Sequence, residues 1–181
     1  IPDNLRLGAF RAGTGDYIQL LEPAASQAET QGFGQVSASI GMATGDMLVT
    51  AYAAHPTYIE SNPEIIQKFT NAIYKAQLWL HRHSSEEAAA IVAPLFDNLD
   101  YQILIKAIER YRSIGVWTDT PVIASDAFNK FQEAAKKSGE IAVPLAFETA
   151  VINDFALRAV ETVVLEEEEN TKKNFFQRML N

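Results

Sequence analysis

Asn62-Pro63-Glu64 opens a run in which Ile65, Ile66, Phe69, Ala72, Ile73, Ala76 and Leu80 recur at three- and four-residue spacing. That period predicts an amphipathic helix of about five turns, which needs a second layer to cover its apolar face. A capping Asn, a Pro at the first helical position and an acid in the first turn set its start. Further helices follow by the same logic. Ser84 with Glu87 makes a capping box for a helix that ends before Pro94. A helix from about Asp100 carries Ile103, Leu104, Ala107, Ile108 and Tyr111 inward and is closed by Gly115. Another starts at Ser125 or Asp126, shows Phe128, Phe131 and Ala135, and stops at Gly139. Phe147 to Leu165 predicts a last helix with Val151, Phe155 and Val160 inward.

Residues 5–52 read differently. "LRLGAF" alternates apolar and polar residues, "YIQLL" is a short apolar run between Gly and Pro, and "GQVSASIG" and "MLVTAYAAH" suit two more strands. "AASQAETQG" predicts a short helix among them, ended by Gly32. The expected fold is therefore α/β, a short sheet followed by several amphipathic helices. No repeats or Gly/Ser-rich linkers interrupt it, so residues 1–160 read as one domain. Residues 161–181 form a tail that is acidic at Glu166 to Glu169 and then basic and aromatic in "TKKNFFQRML".

Composition removes several function classes. A net charge of −8 with no cluster of Lys and Arg argues against nucleic-acid partners. The absence of cysteine excludes thiol catalysis, disulfides and Cys-ligated zinc. No apolar run reaches the roughly 20 residues that span a bilayer. His81 and His83, two residues apart, do not share a helix face and are placed to meet the last carbonyls of their helix rather than a metal. His55 sits in a loop before a Pro. No phosphate loop or nucleophile elbow occurs, and Asp16 and Glu22 bracket a short run too long for a shared-proton pair. No enzyme and no cofactor are expected.

Glu22 is the residue that asks for an explanation, because it ends a buried run and precedes Pro23. Desolvating a carboxylate without a partner is costly. It either pairs with a cationic or N–H-rich group of the protein or receives one from a ligand. The end of a strand is also where open α/β sheets place their ligand crevice.

The order of Gly13, Asp16, Glu22, Pro23, Gly32, Gly41, Tyr58, Ile59, Glu60, Asn62, Pro63 and Glu64 resembles the solute-binding proteins of ABC transporters in the nitrate/sulfonate/taurine group, also called NMT1/THI5-like. "HSSEEAAAIVAPLF" and "WTDTPVIASDAFNKFQEAAKKSGEI" are similar to the helices near the end of that family. The likeness runs from about residue 5 to about residue 155 and covers only the family's second half. It implies a partial type II periplasmic-binding-protein-like fold and a small organic or anionic ligand held by hinge closure. Thr14, Gly15, Asp16, Tyr17 and Glu22 would be the ligand-binding residues. It further implies an ABC permease as partner and a periplasmic or extracellular setting, with membrane association through a missing N-terminus. A half-fold also implies a homodimer, or a non-binding assembly module, as the alternative. The thiamin-pyrimidine enzymes of the same group use a cysteine-rich motif that this chain does not supply.

Overall fold

The computed structural model describes residues 2–165, and all of their regular structure is helical. They divide into two compact units, residues 2–46 with 83–117 and residues 47–82 with 118–165. The expected α/β fold is overturned: among the described residues there is no strand and no sheet. The expected acidic stretch Glu166 to Glu169 and the basic and aromatic "TKKNFFQRML" lie outside the described residues.

In the first unit, "LRLGAF" forms not a strand but most of α1 (Asp3–Arg11). Its Arg6, Leu7, Ala9 and Phe10 are the half-buried residues, a helical spacing that two alternating leucines had disguised. "YIQLL" has no strand partner and runs irregularly from Tyr17 into α2 (Ala24–Thr30). The end of "GQVSASIG" turns into the short α3 (Ile40–Thr44), capped by the Ser39 hydroxyl on the Met42 N–H at 3.2 Å.

The core of this unit lies where α6 (Ser85–Val92) and α2 pack on α7 (Tyr101–Ser113). Ala28, Ala88 and Ala89 let these helices approach Ile103, Leu104, Ile105, Ala107 and Ile108, all of them buried. Small residues opposite branched ones allow interdigitation at interior density. The capping box of α6 forms as expected: Ser84 Oγ accepts the Glu87 N–H at 3.1 Å and Glu87 Oε2 accepts the Ser84 N–H at 3.0 Å. Asp100 caps α7 through the Gln102 N–H at 2.7 Å. Gly115 ends it at a φ of +66°, a left-handed step that a side chain resists.

In the second unit, α4 (Pro56–Ser61) leads directly into α5 (Pro63–Arg82). The long helix starts at Pro63 as expected, but the Asn62 side chain serves α4 instead, donating to the Tyr58 carbonyl at 3.1 Å. α10 (Asp154–Thr162) packs on α5, and Gln67 ties the two by donating to the Phe155 carbonyl at 2.9 Å. Ile65, Phe69, Ala72 and Ala76, four of the expected core residues of α5, stay exposed. "MLVTAYAAH" forms no strand; Leu48 donates its N–H to Ala127 at 3.1 Å on α8 (Ser125–Lys137).

Phe128 is the buried residue of α8, and its ring meets Phe147 edge-on at 5.6 Å. The helix expected over 147–165 is broken into α9 (Phe147–Ala150) and α10. Asn153 sits at the break because its amide pairs both ways with Ile123, accepting the N–H at 3.0 Å and donating to the carbonyl at 2.9 Å. Ala156 and Ala159 are the buried side of α10, and Val160 faces outward.

Candidate functional site

The chain leaving α1 stays close to it and walls a shallow, open recess of about 350 Å³ in the first unit. Ala9, Phe10 and Ile18 supply its apolar surface, and Arg6, Thr14, Tyr17 and Gln19 its polar groups. The recess exists because two turns reverse the chain after α1. Gly13 donates its N–H to Phe10 and Thr14 donates to Ala9, at 2.9 and 3.0 Å. Gly13 and Gly15 then take φ values of +85° and +83°, which turn Tyr17 back along the helix. Across the recess Arg6 Nη1 donates to Gln19 Oε1 at 2.7 Å. Tyr17 is left 87% exposed, and its ring offers an apolar surface with a polar tip.

Of the residues expected to bind, Thr14 and Tyr17 line this recess, while Gly15 and Asp16 form the exposed turn between them. Glu22 lies elsewhere. Its side chain is 4% exposed and both carboxylate oxygens are occupied by the protein. Arg110 Nη1 meets Oε1 at 3.1 Å, and the Ser26 N–H donates to Oε2 at 3.0 Å. The second contact neutralises an N–H of the first turn of α2, where Pro23 in the cap position has no side-chain acceptor to offer. Glu22 also donates its own backbone N–H to the Tyr111 hydroxyl at 3.0 Å.

Arg110 carries the pattern further. Its Nη2 meets Glu29 Oε2 at 2.6 Å, and Lys106 Nζ reaches the same oxygen at 2.7 Å. Lys106 and Arg110 are one turn apart on α7, and Glu29 is seven residues beyond Glu22, so the pairs share one helix–helix face. The Lys106 ammonium, then the Arg110 guanidinium and the Val36 N–H, lower the Glu29 carboxyl from 4.5 to about 2, against the opposing effect of burial. A depressed pKa in the fold stabilises above the unfolded value and is lost as pH falls through the folded one. Acid unfolding should therefore show a stability loss between pH 4.5 and about 2 that Glu29→Gln reduces. Denaturant midpoints measured across that window check it; equal slopes for the two proteins contradict it.

Sequence reasoning singled out neither the cations of this clamp nor Arg6, Phe10 and Gln19 in the recess. The signal present was that each pair falls on one side of a helical repeat, Glu22 and Glu29 two turns apart and Lys106 and Arg110 one turn apart. Nothing local says that the two helices meet.

Among the described residues no group of three or more His, Asp and Glu is placed to hold a metal. His81 Nε2 lies 3.2 Å from Asp119 and 3.3 Å from the Thr118 carbonyl, so its ring engages a loop rather than the end of its own helix. No helix of the described residues is long and apolar enough to cross a membrane.

No family model matches the sequence, and no solved structure matches it. Over 148 residues the chain is 34% identical to "Putative binding protein YtlA" of Bacillus subtilis (strain 168). The match takes in 82% of this chain and 44% of that protein, so the chain spans less than half the length of the relative.

Proposed function

We propose that this chain is a solute-binding module, holding a small organic or anionic solute in the recess beside α1. The observation that carries this reading is the likeness to a protein named as a binding protein across 82% of the chain. The recess supports it with an apolar surface beside polar groups, the usual composition of a small-molecule site. Thr14 and Tyr17 contact the solute, and Gly15 and Asp16 shape the turn that presents them. Glu22 acts through position, holding the end of the segment on which they sit. The module serves as the binding component of an ABC importer, with a permease as its partner, on the periplasmic or extracellular side of the membrane.

Isothermal titration with taurine, nitrate and 4-aminopyrimidine tests the reading, because these differ in charge and planarity. Saturable binding of at least one is expected. Tyr17→Ala should weaken it about tenfold, the loss of roughly 1.4 kcal/mol that removal of an aromatic contact brings. Equal affinity in wild type and variant would remove Tyr17 and the recess from the site.

A further inference from the structure

We infer that Tyr111 is a positioning residue for the recess, acting through Glu22 on the segment from Gly15 to Leu21; the inference rests on the binding reading above. Tyr111 is on α7 and does not line the recess. Among the described residues the backbone N–H groups of Tyr17 to Leu21 have no hydrogen-bond acceptor. The segment is therefore held at its ends, by the Thr14 N–H on Ala9 at its start and, at its close, by the Glu22 N–H on the Tyr111 hydroxyl and by the Leu21 carbonyl, which accepts the Ala25 N–H at 3.1 Å. The Arg6–Gln19 bond is the side-chain tie between them. A segment so sparsely bonded takes its course from its end points, and local opening there costs little.

The hydroxyl is well placed for this work. The Tyr111 ring is fixed edge-on against Trp117 at 5.8 Å, within the same unit. Its neighbour Arg110 grips the Glu22 carboxylate, so consecutive residues of α7 hold the backbone and the side chain of one residue. A solute resting on Tyr17 and Thr14 thus feels α7 without touching it.

Tyr111→Phe isolates the effect, since phenylalanine keeps the ring and its contact with Trp117 and removes only the acceptor. In ¹H–¹⁵N spectra the amides of residues 15–22 should shift, and exchange at Glu22 should become roughly five- to tenfold faster, the loss of one hydrogen bond. The chemical shifts of the Ile103 to Ile108 amides should stay in place, and the unfolding midpoint should fall by no more than the worth of that one bond. Whichever of taurine, nitrate or 4-aminopyrimidine binds the wild type should bind the variant roughly fivefold more weakly. Unchanged amides at 15–21, or changes spread through α2 and α7, would overturn the inference. Amide changes as expected, with no probe binding the wild type, would instead sink the binding reading and leave the positioning of the segment standing.

Discussion

Replacing Arg110 with alanine should lower the unfolding free energy by about 3 kcal/mol or more. Glu22 is 4% exposed on its side chain, and the guanidinium is the cation that faces it. Without Arg110 the carboxylate keeps a single N–H donor from Ser26 and cannot regain water. The loss of Arg110 also leaves Glu29 to Lys106, a half-exposed partner in the solvent-screened range that contributes less. Two companions separate the charge effect from lost packing. Arg110→Lys supplies one ammonium where a planar fork had spanned two carboxylates, so it should recover only part of the loss. Glu22→Gln added to Arg110→Ala removes the unpaired charge and should restore stability relative to Arg110→Ala alone. Urea denaturation followed by circular dichroism reads all three; a loss below about 1 kcal/mol for Arg110→Ala would show that the pair is worth no more than an exposed one.

The second large effect belongs to the other unit. Phe128→Ala should cost about 3 kcal/mol or more, the range of buried aromatic deletions. Among the described residues of that unit the buried apolar side chains are Phe128, Ala156 and Ala159, so one ring supplies most of the fully covered volume. Its deletion also ends the edge-on contact with Phe147 at 5.6 Å. Hydrogen exchange gives the clearest reading. Protection should fall in α8 and α9 while the amides of Ile103 to Ile108, in the first unit, keep theirs. Phe128→Leu, which retains most of the volume, should cost less than half as much. A uniform loss of protection in both units would mean that they do not unfold separately.

The helices α2 and α5 to α8 were legible because their signals are local, whereas α1, α3 and α4 were not expected. The Pro63-Glu64 start, the Ser84–Glu87 box, the helix start at about Asp100 and the apolar periods of α7 and α8 each lie within a few turns of chain. The strands were misread for the opposite reason. "LRLGAF" holds only two alternating leucines, too few to distinguish a period of two from the helical spacing of Arg6, Leu7, Ala9 and Phe10. "YIQLL" has the residues of a strand, but a strand also needs a neighbour to take its backbone groups, and β-propensity is largely a record of such neighbours. Within residues 2–165 no segment supplies one.

The candidate site was half legible. The family resemblance named Thr14 and Tyr17, and the turn through Gly13 and Gly15 brings both to the lining of the recess. The isolated carboxylate before Pro23 was a sound signal that Glu22 needs a partner. Its partner Arg110 lies 88 residues away, and only the packing of α2 on α7 brings it there. A sequence can show that a buried charge must be answered without showing what answers it.

Native mass spectrometry of the 181-residue chain, with the Tyr17→Ala variant run beside it, tests the binding reading most directly. The expected result is the mass of the chain plus a small solute that is released on collisional activation, with the solute reduced or lost in the variant. The bare mass from both proteins, at every activation energy and after incubation with taurine, nitrate or 4-aminopyrimidine, would contradict it.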